Sequence, residues 1–233
     1  MAYKGLARFI LFIFVLSLGI YGIRMALFSS LFTIKNVEVK VWGDISENEI
    51  IRLWKGFLRQ NYPGIAPNLF KLKKEALCRY ILSDVRVKRV EIKRYPPHRI
   101  VILIEPRRAF LWIKDGLGVD REGVIFPIKG TQSLAYLSGF EGKKMKDVIN
   151  VSSLFFLLKE AKNYSFFTKI KEIRLEKNKA FFSLNSLWVC IPLEMKNSTK
   201  RFKRLEAILK TDLSDVGLID LSYDDDVLLS PSF

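Results

Sequence analysis

The sequence predicts an α+β chain in three parts: a single N-terminal transmembrane helix, a small domain ordered strand, helix, helix, strand, strand, and a strand-rich β domain with two helices. Three observations predict it. An almost uncharged apolar run extends from Leu6 to Ile23, valines then alternate with other residues at Val37, Val39 and Val41 before helical periodicity sets in, and short strands follow one another after Pro106. The parts fall at 1–7 for a short cytoplasmic tail, 8–28 for the transmembrane helix, 32–106 for the first domain and 107–233 for the β domain.

The run LARFILFIFVLSLGIYGI carries one charge, Arg8, close enough to its start for a long side chain to reach the headgroups. Apolar residues resume after Arg24, so a helix continued to Phe28 covers roughly 30 Å, the thickness of the hydrocarbon layer. Bulky Phe and Ile throughout, and the lack of a small-x-small site, argue for a retained anchor rather than a cleaved signal. Lys4, Arg8 and the amino terminus outweigh Arg24, which places the tail in the cytoplasm and the chain beyond Ser29 outside.

In the first domain the Val37 to Val41 alternation is a half-buried strand, ended by Gly43 and Asp44. Ser46 followed by Glu49 reads as a capping box, and Ile50, Leu53, Trp54, Phe57 and Leu58 repeat at helical spacing. Two prolines and a glycine make Tyr62 to Asn68 a loop, and a second helix over Lys73 to Leu82 buries Leu77, Tyr80 and Ile81. Two strands follow around the turn Tyr95, Pro96, Pro97. Val85 and Val87 are out of phase with Val90 and Ile92, which suggests a bulge near Lys88 and Arg89. The unbroken apolar run Ile100 to Ile104 predicts a central strand covered on both faces.

Pro106 marks the domain boundary. Ala109 to Ile113 is a strand, and Gly118 and Gly123 bracket tight turns of a hairpin over Asp115 to Ile128. Leu154, Phe155, Leu157, Leu158 and Ala161 form a helical face. A hairpin turns at Glu176 to Lys179, and Leu187, Val189, Ile191 and Leu193 alternate as one more strand. A basic helix over Ser198 to Lys210 buries Phe202, Leu205 and Leu209 and presents Lys200, Arg201, Lys203 and Arg204 outward. Val216 to Tyr223 and Val227 to Leu229 are the last strands.

Composition excludes several chemistries. One His and two Cys in 233 residues cannot build a multi-histidine metal site, a four-thiolate zinc site or a disulfide scaffold. His98, in YPPHR, has no carboxylate or thiol at ligand spacing, and Cys78 and Cys190 fall in different domains and read as unlinked buried thiols. Three consecutive aspartates on an extended segment point to alternating faces, which suits an exposed turn better than a cation site. No phosphate loop or nucleophile elbow is present, so no catalytic, cofactor or metal residue is expected and the chain is not read as an enzyme. A net charge of +15 invites a nucleic-acid reading, yet the 18 Phe fall mostly in the apolar run or on apolar faces of helices and strands, and no RNA- or DNA-binding motif is legible. Lipid beside a membrane-proximal domain accounts for the surplus base without nucleic acid. The charge is also uneven: Asp212, Asp215, Asp220, Asp224, Asp225 and Asp226 follow Lys210 with no base among them.

The anchor, FTIKNVEVKVWGDISENEI (Phe32 to Ile50), NLFKL (Asn68 to Leu72), VRVKRVEIKRYPPHRIVILIEPRRA (Val85 to Ala109), GVDREGVIF (Gly118 to Phe126) and VGLIDLSYDDD (Val216 to Asp226) together resemble the bacterial cell-division family FtsQ, also called DivIB. The resemblance covers nearly the whole chain and rests on the ordered set rather than on any one piece. It implies a POTRA domain (β-α-α-β-β) followed by a β domain, in a single-pass inner-membrane protein whose bulk is periplasmic and which is found at the division septum. It implies a divisome scaffold that binds FtsB and FtsL-like proteins chiefly through the β domain, with contacts to FtsK, FtsW and FtsI-like proteins. The partner segment would add to the last strands at Ser222, Tyr223, Asp224, Asp225, Asp226, Val227, Leu228 and Leu229. Ser222 replaces the family's arginine and Asp84 its common proline; the aspartates suggest a basic partner segment. An edge strand offers unpaired N–H and C=O groups for such an addition, although Val227 to Leu229 reads equally well as simple closure of the sheet. The alternative function is a POTRA-type chaperone or transport component binding extended polypeptide, but the residues after Pro106 cannot supply the many-stranded barrel of its outer-membrane members.

Overall fold

The computed structural model describes residues 2–27, 29–114, 116–130, 134–140, 142–194, 196–224 and 226–231, with side chains of the first helix described at 11–25 and 27. The chain divides into two compact units, Met1–Arg107 and Arg108–Phe233.

The first helix, α1, spans Ala2–Leu27, so most of the expected tail at 1–7 is helical. Among the described residues no helix is long and apolar enough to cross a membrane. The transmembrane helix expected at 8–28 and the single-pass inner-membrane localisation are corrected by this finding. The fold class becomes a mixed α/β chain with α-helices α1 to α5 and two sheets among the described residues. The end of α1 is tied to the first unit by Asn68, whose Nδ2 donates to the carbonyls of Leu27 at 3.2 Å and Ser29 at 2.9 Å while its Oδ1 accepts the Phe70 N–H at 2.9 Å.

The first unit continues with β1 (Asn36–Val41), α2 (Glu47–Asn61), α3 (Lys74–Leu82), β2 (Val87–Tyr95) and β3 (Arg99–Pro106). Apolar residues at i, i+4 and i+7 drive α2, since Ile50, Trp54 and Phe57 all lie buried. Its cap differs from the capping box. Ser46 Oγ accepts from Asn48 N–H at 3.3 Å, and Glu49 reaches Arg86 at 2.6 Å instead of the cap backbone. Asp84 also holds Arg86 at 2.7 Å, and the hydrogen bond that Arg86 donates to Asp84, opposed by burial and reinforced by Glu49, raises the guanidinium pKa.

The sheet runs β1-β3-β2, with β1 parallel to the central β3 and β2 antiparallel to it. A register shift between Val87 and Arg89 is the bulge read from the valine phase slip. Ile100, Ile102 and Ile104 are fully buried in one core with α2 and α3 residues such as Phe57 and Leu77. The opposite face departs from the expectation of a central strand covered by structure on both sides. Val101, buried there, lies in register between Glu38 of β1 and Lys93 of β2, and Trp42 nearby is 56% exposed. Long flanking side chains, not a packed helix of this unit, account for the apolar residues on that face.

The described residues of the second unit form one nine-stranded sheet, in the order β12-β11-β10-β9-β8-β7-β4-β5-β6, with two α-helices. Its strands are β4 (Leu111–Ile113), β5 (Leu117–Val119), β6 (Ile125–Pro127), β7 (Ala135–Ser138), β8 (Ile170–Glu176), β9 (Lys179–Leu184), β10 (Leu187–Pro192), β11 (Val216–Asp220) and β12 (Leu228–Pro231). Helices α4 (Ser152–Ala161) and α5 (Ser198–Ile208) contribute Leu154, Leu157, Phe202 and Leu205 to a core shared with Leu137, Ile173, Phe182, Val189 and Ile219. The alternation read at Leu187, Val189 and Ile191 puts these three on the core side of β10.

Candidate functional site

The two ends of the nine-stranded sheet differ. At the β6 end, Ile125 N–H donates to the Asp147 carbonyl and Lys146 N–H to the Ile125 carbonyl, both at 3.0 Å, and Ile149 N–H reaches the Gly123 carbonyl at 2.9 Å. Segment 146–149 therefore occupies that edge. The hairpin before it is shaped by Asp120, whose Oδ1 accepts the N–H groups of Glu122 and Val124, both at 2.9 Å. Gly123 follows at φ +79°, a left-handed conformation that suits glycine.

At the other end, β12 pairs antiparallel with β11 through Ile219↔Leu229 and Asp220↔Leu228, and among the described residues β11 is its one strand neighbour. Leu228 and Leu229 are 50% and 53% exposed, and Tyr223 is 53% exposed. Val227 is half-buried and packs against the core, which fixes where the strand begins. A short edge strand with two exposed leucines can take up another extended segment, and Pro231, lacking an N–H, limits how far along the edge pairing can run.

The expected site residues differ in their surroundings. Asp224 is tied to the unit itself: its Oδ1 lies 2.6 Å from Arg201 Nη2, and its carbonyl accepts from Arg204 Nη2 at 3.0 Å. Asp226 is exposed, and Asp225 lies outside the described residues. With Asp224 engaged, the aspartates present less free charge than three consecutive acids suggest. Ser222 turns inward, its N–H donating to Asp220 Oδ1 at 2.8 Å and its hydroxyl 3.7 Å from Cys190 Sγ. Burial raises the Cys190 thiol, against the Ser222 hydrogen bond. Cys78 and Cys190 are both free thiols, and the His98 carbonyl accepts the N–H groups of Lys35 at 2.9 Å and Asn36 at 3.2 Å.

Arg201 departs from the outward placement expected on α5. It is 4% exposed and also donates from Nη1 to the Lys196 carbonyl at 2.7 Å. The signal for this was present, because Arg201, Leu205 and Ile208 stand at i, i+4 and i+7 on one helical stripe. Truncating Asp224 leaves that guanidinium without its carboxylate. Asp224→Ala is expected to cost about 1–3 kcal/mol in urea unfolding, and Arg201→Met, which removes the buried charge as well, is expected to cost less.

Asp220 sets the acid limit of this corner. Burial pushes its carboxyl up, but the Ser222 hydroxyl and N–H, with Lys179 at 3.6 Å, outweigh burial and hold it below its ordinary value. A depressed carboxyl contributes stability that is present above the unfolded value of about 3.9 and lost as pH falls through the folded one. The protection factor of the Ser222 amide against hydrogen exchange is expected to be constant from neutrality to about pH 4 and to fall below it, and Asp220→Asn is expected to abolish that step.

No known family model matches the chain, and no curated protein is detectably similar to it.

Proposed function

We propose that the chain is a non-enzymatic scaffold of cell division, of the FtsQ/DivIB kind, that captures extended segments of FtsB- and FtsL-like partners by adding them as a strand beside β12. The observation that carries this reading is the contrast between the two sheet ends. Segment 146–149 covers β6, whereas β12 ends the sheet with Leu228 and Leu229 exposed. Edges left uncovered invite pairing, and a protein that covers one and leaves the other with apolar side chains has one end suited to a partner. Tyr223, exposed at the loop leading into β12, supplies a rigid aromatic anchor next to that edge. Asp224 holds the loop in place through Arg201 rather than serving as a contact.

Photocrosslinking in cells tests the reading. A photoreactive residue at Tyr223 or Leu228 is expected to trap FtsB- or FtsL-like proteins, while one at Lys146, beside the covered edge, is not. Equal trapping at all three positions, or none, removes the proposal.

A further inference from the structure

We infer that the outer face of the first sheet is a docking groove for an acidic segment of a protein partner. This goes beyond the capture of a strand by β12 and rests on the first unit alone. A groove of about 420 Å³ runs over β1, β3 and β2 on the side away from α2 and α3. Val101 and Leu103 form its apolar floor, and Trp42 and Tyr95, 56% and 41% exposed, stand over it. Lys40, Lys93 and Arg99 line it against one carboxylate, Glu38.

That carboxylate shows the chemistry the groove accepts. Glu38 lies 3.0 Å from Lys40 Nζ through one oxygen and 3.6 Å from Arg99 Nη1 through the other. Lys93 meets Glu91 at 3.5 Å, just outside the lining, and the Arg99 guanidinium rests 4.6 Å above the Tyr95 ring. These ion pairs are 40–54% exposed, and such pairs contribute about 0–1 kcal/mol, so an incoming carboxylate can share or replace Glu38 at little cost. An apolar floor ringed by cations selects an acidic segment carrying an aliphatic or aromatic residue between its carboxylates. Trp42 gives that residue a large, rigid surface. Neighbouring strands lie about 4.8 Å apart, so the walls on β1 and β2 are about 10 Å from each other, a width that admits one extended chain. A concave trough of that width fits a peptide better than a flat bilayer or a nucleic-acid duplex.

Panning short random peptides against the purified full-length chain, and in parallel against Lys40→Glu/Lys93→Glu and Trp42→Ala, tests the inference. Peptides captured by the native chain are expected to be several-fold richer in Asp and Glu than the starting library and to include an aromatic or aliphatic residue. They are expected to bind the charge-reversed chain about tenfold or more weakly and Trp42→Ala several-fold more weakly. All the altered side chains are exposed, so melting temperatures are expected to stay unchanged. Captured peptides without acidic enrichment, or with equal affinity for native and altered chains, overturn the inference. So does charge reversal that releases phosphatidylglycerol vesicles or an oligodeoxynucleotide while leaving peptide capture intact. Substitutions in β12 are expected to leave this capture unchanged, which separates its failure from failure of the strand-addition reading.

Discussion

A chain carrying proline at Leu228 and a chain carrying proline at Leu229 are expected to fail in different ways. Successive residues of a strand direct their N–H groups to opposite sides, one toward the neighbouring strand and the next away from it. Leu228 and Leu229 both pair with β11 in register, opposite Asp220 and Ile219, so one of them faces its N–H into the sheet and the other outward. Proline deletes that N–H. The variant that loses the outward donor is expected to melt normally and bind an FtsB-like segment roughly a hundredfold more weakly, a loss of about 2.7 kcal/mol. The other is expected to loosen β12 and lower the melting temperature. Titration calorimetry on the full chain, paired with thermal unfolding, reads both effects, and unchanged affinity in both variants would exclude strand addition at this edge.

Gly123→Ala is expected to be the most damaging conservative change in the second unit. A Cβ placed there lies 1.8 Å from the Ile149 carbonyl oxygen, and the backbone stands at φ +79°, where alanine is strained. Relief requires segment 146–149 to move off β6, with loss of the Ile149 N–H to Gly123 carbonyl bond at 2.9 Å. Strain and displaced backbone together are expected to cost roughly 3 kcal/mol in urea unfolding. Gly64→Ala supplies the comparison, because Gly64 has φ +72° and nothing within 4 Å of its Cβ position, so conformational strain alone applies and about 1 kcal/mol is expected. Comparable losses in the two variants would show that the close approach of Ile149 adds nothing. A freed β6 edge also predicts self-association of the Gly123 variant at high concentration.

The elements that local pattern could reveal were legible. Helix α2 follows from Ile50, Trp54 and Phe57, the β2 bulge from the valine phase slip, and β10 from alternating apolar residues, because each signal lies within a few residues of chain. The order of the second sheet was not, since β4 lies beside β7 and β10 beside β11 as parallel neighbours joined through long connections that leave no local signature. For the same reason the covering of β6 by segment 146–149 went unread, although the sequence singled out Gly123. At the candidate site, Tyr223, Leu228 and Leu229, to which the resemblance points, are exposed. The tie of Asp224 to Arg201 was not legible, because that arginine lies on a helix 23 residues earlier. The apolar run near the amino terminus predicted a membrane span, whereas among the described residues no helix is long and apolar enough to cross a membrane.

The parallel pairing of β1 with β3 has a mechanical consequence. The chain enters the first sheet at Asn36 and leaves it at Pro106, the two far ends of adjacent parallel strands in register from Asn36↔Arg99 to Val41↔Ile104. Tension between the segment before Asn36 and the chain after Pro106 therefore pulls the two strands in opposite directions along their length. Their ladder is loaded in shear, with its hydrogen bonds sharing the force together instead of parting one at a time as in a hairpin peeled from its ends. The first sheet is arranged so that a pull between the segment entering β1 and the segment leaving β3 is shared along the whole β1–β3 ladder.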